Sequence, residues 1–205
     1  DAQSFATYFN SVATGLGEIQ DSVNEEIKST VENINAIGKK ISLFGLGSAK
    51  FVYSGLGSGA IDTTKTTSLK DALEAEGFQV NPDLYSVYEK SEARVGKEED
   101  PSTYLDSVAD SVKEYSDAAI VVISRNGAEA QDLTEDQLSL SDAEMSLVKY
   151  ANDNFDDVIV MLNTANAIEM GWSDSRFFPN IKACMWVGYP GQEGITSIAK
   201  ALTGE

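Results

Sequence analysis

The sequence predicts an α/β fold, a mostly parallel, doubly wound sheet flanked by helices, preceded by an N-terminal amphipathic helix. Two observations predict the sheet. Short apolar runs end near Gly, Ser or Asn, and most are followed by a segment with helical periodicity. The runs are almost continuously apolar, which is typical of strands buried on both faces. A third observation, an apolar stripe within residues 1–37, predicts the additional helix.

The predicted strands are five apolar runs. In chain order they are KISLFGLGS, FQVN, AAIVVISRNG, DVIVMLNTAN and IKACMWVGYPG. Parallel strands place their carboxyl ends at one edge of the sheet, where ligands of such folds bind. Four loops are therefore expected at that edge: GLGSAK, SRNGAEAQDL, NTANAIE and GYPGQEG.

Helices are predicted between the strands from apolar periodicity and capping residues. In LSDAEMSLVKYANDN, Ser141 is the expected N-cap and Glu144 completes a capping box. Gly77 is the expected stop of SLKDALEAEG, and the remaining helices are YLDSVADSVKEYS and EGITSIAKALTG. The charged stretch KSEARVGKEEDPS is predicted to be a solvated loop.

The first helix determines the expected domain organisation. Its apolar stripe runs from Leu16 to Ile34 at spacings of three and four residues. It is expected to pack on its own domain, or else on a second domain or another copy of the chain. We therefore divide the chain into a helical element, residues 1–37, and an α/β domain, residues 38–205.

Composition excludes several classes of function. The 33 acidic and 15 basic residues give a net charge of −18, which would repel nucleic acid and anionic membranes. One cysteine and no histidine exclude an intrachain disulfide, histidine-ligated zinc and Ser-His-Asp triads. No apolar run approaches the roughly 20 residues of a membrane span. We expect a soluble protein, cytoplasmic or secreted after signal removal, without metal or cofactor.

Two glycine-rich stretches, GLGSAK and GLGSGA, are weak matches to nucleotide-binding patterns. Lys50 is followed by Phe51 rather than by the Ser or Thr of a phosphate-binding loop. We expect these glycines to form tight turns, some with positive φ. A nucleotide-binding domain of flavodoxin-like type remains an alternative.

Several segments together resemble the C-terminal α/β sandwich domain of family 3 glycoside hydrolases, the β-glucosidase type. They are KISLFGLGS, YSGLGSG, AAIVVISRNGAEAQDL, DVIVMLN and WVGYPGQEG, in this order within residues 39–203. The most specific matches are Ser124, Arg125, Glu129 and Asp132 in the third segment and the stretch from Trp186 to Gly194. The resemblance implies a preceding (β/α)-barrel domain that carries an aspartate nucleophile, with the active site in the cleft between the domains.

The resemblance also implies the roles of individual residues. Glu129 falls at the position of the general acid/base, and Arg125 and Asp132 are the expected substrate-binding residues beside it. Trp172 and Tyr189, in loops at the ligand edge, are expected to stack on a β-glucoside-like carbohydrate. Trp186 lies in a strand and is expected in the core, as are Phe177 and Phe178. Glu135 and Asp136, with Asp132, lack the spacing of a calcium loop and are expected to form a solvated turn.

The sequence also departs from the family pattern. Ala128 and Ala130 replace the glycines that usually flank the glutamate, and Leu133 stands where arginine often follows. A (β/α)-barrel alone needs about 250 residues, so the nucleophile must come from a barrel elsewhere, in the same or another chain, or be absent. We therefore expect this chain alone to be inactive. The alternative is a non-catalytic carbohydrate-binding or scaffolding domain of the same fold.

Overall fold

The computed structural model describes residues 40–127 and 133–203, which form a five-stranded sheet in the order β2-β1-β3-β4-β5. All four strand pairs are parallel, which confirms the predicted doubly wound fold. The strands are β1 (Lys40–Phe44), β2 (Gln79–Val80), β3 (Ala118–Ser124), β4 (Val158–Asn163) and β5 (Ile181–Trp186). The predicted N-terminal helix lies outside the described residues.

The described helices are α1 (Leu69–Ala75), α2 (Pro82–Lys90), α3 (Ala109–Glu114), α4 (Asp142–Asn154) and α5 (Gly194–Ala201). Helix α4 begins with the predicted capping box of Ser141 and Glu144. Gly77 follows α1 with a φ of +91°, as expected of a helix stop. The helix predicted from YLDSVADSVKEYS is a 3₁₀ turn, Leu105–Val108, that continues into α3.

Helix α2 was missed by the sequence analysis. Its N-cap is Asn81, whose side-chain oxygen accepts hydrogen bonds from the backbone N–H groups of Asp83 and Leu84. Pro82 occupies the first helical position, where its missing N–H has no cost. These two residues are a start signal that the sequence does contain.

Two apolar layers cover the two faces of the sheet. Helices α2, α3 and α4 pack on one face, against alternate residues of the central strands such as Phe44, Val121 and Val160. Helices α1 and α5 pack on the other face, against the intervening residues, such as Leu43, Val122 and Met161. Strands β3 and β4 are buried along their whole length because both of their faces are covered.

Strand β5 corrects the expectation that every strand is buried on both faces. It lies at the edge of the sheet, and Ile181, at 9% exposure, is its only buried residue. Trp186, its last residue, is 64% exposed. An edge strand has a neighbour on one side only, so its side chains are less completely covered.

No helix within residues 40–127 and 133–203 has the length and apolar character that crossing a membrane requires.

Candidate active-site edge

The carboxyl ends of β3, β4 and β5 meet at one edge of the sheet, as predicted. Ser124 pairs with Asn163, and Leu162 pairs with Trp186, in the parallel register. The loop that follows β3 therefore leaves the sheet beside the loops that follow β4 and β5. Glu129 and Asp132 belong to this loop in the sequence, but both lie outside the described residues.

Asn163 connects three of the loops at this edge. Its amide oxygen accepts hydrogen bonds from the Val52 N–H at 2.7 Å and the Ser124 hydroxyl at 2.9 Å. Its amide nitrogen donates to the carbonyls of Val52 and Gly188, both at 2.8 Å. The residue is completely buried. The sequence analysis did not select Asn163, although a polar residue at the end of a buried strand was the available signal.

Tyr189 fixes the first residues of the β3 loop. Its hydroxyl donates to the Arg125 carbonyl at 3.0 Å and accepts from the Gly127 N–H at 3.2 Å. The Arg125 N–H donates to the Asn163 carbonyl, and the Gly127 carbonyl accepts from the Leu56 N–H. Residues 125–127 are thus held by the β1, β4 and β5 loops. Tyr189 was predicted to stack on substrate, and its hydroxyl is part of this hydrogen-bonded framework.

The Arg125 side chain turns into the domain instead of toward a ligand. Its guanidinium forms a bidentate pair with the Glu144 carboxylate, with N···O distances of 2.5 and 2.8 Å. The side chains of both residues are only 3% exposed. Its nitrogens also donate to the carbonyls of Ser124, Gln137 and Ser139, so the five N–H groups are fully used. The substrate-binding role expected for Arg125 is therefore corrected, because no donor is left for a sugar.

The exposure of the two tryptophans is the opposite of what was predicted. Trp172 is buried at 7% exposure, and its indole N–H donates to the Glu169 carbonyl. Its expected role as a stacking platform is corrected, because the ring packs in the core. Trp186 was expected in the core, yet it is the exposed ring because β5 is an edge strand. Its indole N–H donates to the Thr164 carbonyl at 2.7 Å, which fixes the orientation of the ring.

Aromatic residues before β5 show the same mixture of positions. Phe177 is 66% exposed, whereas Phe178 is half-buried against the core.

Trp186 borders a cavity of about 370 Å³ whose lining is mostly apolar. The Cys184 thiol is part of this lining, and burial raises its pKa to about 11. The thiol is therefore neutral near pH 7 and contributes apolar surface.

Glu98 is a half-buried acidic group within a stretch that was expected to be a solvated loop. Its two carboxylate oxygens accept hydrogen bonds from the Leu46 N–H at 2.8 and 3.0 Å. Burial raises the pKa of Glu98 to about 7. Lys50 holds the same loop, donating to the carbonyls of Ser91 and Ala93. No local sequence signal distinguishes Glu98 from its charged neighbours, because its partners lie far away in the chain.

The contacts of the first glycine-rich stretch do not favour the nucleotide-binding alternative. Gly45 has a φ of +90°, and a Cβ there would lie 2.5 Å from the Val122 carbonyl oxygen. A Cβ on Gly47 would lie 2.2 Å from the Ser124 hydroxyl oxygen. The next N–H, that of Leu46, is already bound by a carboxylate, which would repel a phosphate. These glycines thus serve the close packing of the loop, as predicted.

The acidic turn after the β3 loop contains a 3₁₀ turn, Glu135–Leu138, with Glu135 and Asp136 exposed to solvent. Across residues 40–127 and 133–203, no three cysteine or acidic side chains converge on a common point where a metal ion could be held.

Comparison with solved structures identifies related domains. The β-glucosidase 3B of Thermotoga neapolitana, determined in complex with α-D-glucose, aligns with a TM-score of 0.66 and 26% identity. The match covers 82% of this chain and 25% of that one. A β-glucosidase from Paenibacillus barengoltzii aligns with a TM-score of 0.69 and 28% identity, over 89% of this chain and 23% of that one.

Sequence relatives agree with the structural neighbours. A β-glucosidase of Ruminococcus albus is 31% identical over 179 residues, and β-glucosidase A of Butyrivibrio fibrisolvens is 28% identical over 203 residues. These matches cover 80% and 82% of this chain, which spans only 18% and 24% of the relatives' lengths. The model of the glycosyl hydrolase family 3 C-terminal domain matches residues 34–205. The chain therefore belongs to family 3 of the glycoside hydrolases, of whose β-glucosidase-like members it represents the C-terminal α/β domain.

Proposed function

We propose that this domain contributes the general acid/base loop, with Glu129, to the active site of a retaining β-glucosidase. A (β/α)-barrel domain, in the same or another chain, supplies the nucleophile. The β-glucosidase relatives and the glucose bound to the Thermotoga neapolitana enzyme support a β-glucoside as the substrate. Asp132, near Glu129 in the sequence, is the proposed substrate-binding residue of the same loop.

The observation that carries this proposal is the fixed start of the β3 loop. Each backbone N–H and carbonyl of Arg125 and Gly127 forms a hydrogen bond, with Asn163 at the end of β4, with Tyr189 or with Leu56. Glu129 follows only two residues after Gly127. A catalytic side chain needs such a support, because a misplacement of about 1 Å can cost a hundredfold in rate.

The chemistry requires two carboxyl groups about 5 to 5.5 Å apart. The nucleophile on the barrel attacks the anomeric carbon while Glu129 gives its proton to the departing glycosidic oxygen. Glu129 then removes a proton from the water that attacks the glycosyl-enzyme intermediate, and the nucleophile leaves. Each carboxyl group thus returns to its starting state, and neither can perform both roles.

The first prediction tests Glu129 by its replacement with glutamine. We expect the chain alone to release no nitrophenol from aryl β-glucosides, and to become active when a matching barrel domain is supplied. In that complex, Glu129→Gln should lower kcat/KM by about a hundred- to ten-thousandfold. The loss should be smaller for a dinitrophenyl glucoside, whose leaving group needs little protonation. The matched control is Glu135→Gln, which makes the same change at an exposed carboxylate.

Two results would contradict this proposal. Turnover by the isolated wild-type chain that disappears in Glu129→Gln would mean that the chain holds both carboxyl groups. Equal activity of wild type and Glu129→Gln in the barrel complex would remove the acid/base role.

A second candidate is a non-catalytic carbohydrate-binding domain, and Trp186 is the observation that favours it. An exposed indole with a fixed orientation is suited to stacking on the apolar face of a sugar. The neighbouring cavity of about 370 Å³ is large enough for one sugar ring or an aryl group. This candidate needs neither Glu129 nor a barrel domain.

A further inference from the structure

We propose that Arg125 is a positioning residue that fixes both ends of segment 126–136, and that Glu144 holds Arg125 in place for this task. The inference rests on the proposed function, because the segment contains Glu129. It gives Arg125 a role that involves no contact with the substrate.

The hydrogen bonds of Arg125 connect the beginning and the end of the segment. Arg125 is the first residue after β3, so its backbone belongs to the start of the loop. Its side chain reaches forward to residues that follow the segment: Nε donates to the Gln137 carbonyl at 2.7 Å, and Nη2 donates to the Ser139 carbonyl at 2.8 Å. The Arg125 side chain therefore joins the beginning and the end of the segment, and we call this set of hydrogen bonds the clamp.

Glu144 connects this clamp to the first turn of helix α4. Its carboxylate binds both terminal nitrogens of Arg125, and one of its oxygens also accepts from the Ser141 N–H at 2.8 Å. This second bond belongs to the capping box that begins α4. The guanidinium plane is consequently fixed by a helix that packs on the sheet, and the carbonyls of Gln137 and Ser139 are held in a fixed relation to that helix.

The pair lines a cavity of about 790 Å³ together with residues of the 134–142 stretch, yet both side chains are only 3% exposed. All five N–H groups of Arg125 already have acceptors, so the guanidinium has no donor left for a ligand in that cavity. A Cβ on Gly96 would lie 4.0 Å from Cδ of Arg125, an ordinary van der Waals distance, so Gly96 lies beside the arginine stem. A bidentate arginine is also the geometry least easily replaced by lysine, because lysine lacks the planar fork of donors.

The test removes the clamp without leaving a buried charge. Arg125→Met combined with Glu144→Gln makes the pair neutral, and glutamine retains the capping-box function. Amide hydrogen exchange of the full 205-residue chain is measured for wild type and the double variant. We expect exchange at residues 126–127 and 133–137 to accelerate about tenfold or more, with β3 and α4 unchanged. In the barrel complex, kcat should fall by about tenfold or more, whereas KM should change little.

An exposed ion pair of the same helix provides the control. Lys149→Met combined with Asp153→Asn removes the same two charges at the surface and should leave exchange in the segment unchanged. Unchanged exchange in the segment, or equal acceleration throughout the domain, would overturn the positioning role. If Glu129→Gln were fully active, the acid/base assignment would fail, while the exchange data would still decide whether Arg125 fixes the segment.

Discussion

Replacing Asn163 by aspartate changes one NH₂ group into an oxygen and leaves the shape of the side chain nearly unchanged. The amide oxygen accepts two hydrogen bonds, from Val52 and Ser124, and an aspartate oxygen can accept both. The amide nitrogen donates to the carbonyls of Val52 and Gly188. A carboxylate cannot donate, so both carbonyls lose their partner and face a negative charge instead.

The magnitude follows from these two carbonyls. A buried polar group that loses its partner costs about 1 to 3 kcal/mol, and the completely buried carboxylate adds a cost of desolvation. We expect Asn163→Asp to lower the free energy of unfolding by about 3 to 6 kcal/mol near pH 7.5. Burial raises the pKa of the introduced carboxyl in the folded state, so the loss should shrink as the pH falls and the group is protonated. The protonated form can donate to one of the two carbonyls.

Urea unfolding followed by circular dichroism, at about pH 5 and about pH 7.5, measures both the loss and its pH dependence. Asn166→Asp is the matched control, because Asn166 is exposed on the following loop and should change stability by less than about 0.5 kcal/mol. A loss below about 1 kcal/mol for Asn163→Asp, or the same loss at both pH values, would refute the assigned hydrogen-bond directions.

Two further predictions concern Glu98 and Trp186. Folding raises the pKa of Glu98 from 4.5 to about 7, so its protonation favours the folded state below about pH 4.5 and this contribution disappears as the pH rises through 7. The free energy of unfolding of wild type, minus that of Glu98→Gln, should therefore fall by about 3 kcal/mol between pH 4.5 and pH 7. Denaturant unfolding of both proteins measures this difference, and a difference that does not change with pH would contradict the prediction. For the carbohydrate-binding candidate, Trp186→Ala should weaken phenyl β-glucoside binding to the isolated chain about fivefold or more, whereas Trp172→Phe should not. Ligand-observed NMR titration measures both, and no binding by wild type would reject that candidate.

The sheet was predictable from the sequence because its signal is local and repeated. Each central strand is a continuous apolar run, since helices cover both of its faces. The capping box at α4 was equally predictable, because both of its residues lie within one helical turn. The edge position of β5 was not predictable in this way. Its apolar composition resembles that of the central strands, and only the strand order shows that Trp186 has no neighbour on one side.

The candidate site was predicted at the level of loops but not of individual contacts. The four loops expected at one edge do meet there, because the carboxyl ends of parallel strands share an edge. Arg125 was predicted to bind substrate, whereas its side chain pairs with Glu144, which is 19 positions away and had been assigned only to a helix cap. Asn163 and Val52 are 111 positions apart. Such pairings depend on the completed fold and leave no pattern in the neighbouring sequence.

These long-range contacts also determine what the alanines beside Glu129 can change. Ala128 and Ala130 restrict the backbone near φ > 0, where glycine moves freely. The positions of Arg125 and Gly127, however, are set by hydrogen bonds to Asn163, Tyr189 and Leu56. We therefore expect the alanines to affect the backbone between residues 128 and 132, while these hydrogen bonds hold the start of the segment on the sheet. Under the proposed function, Ala128→Gly combined with Ala130→Gly should change kcat/KM in the barrel complex and leave the free energy of unfolding nearly unchanged, and equal kcat/KM would contradict an effect of the alanines on Glu129.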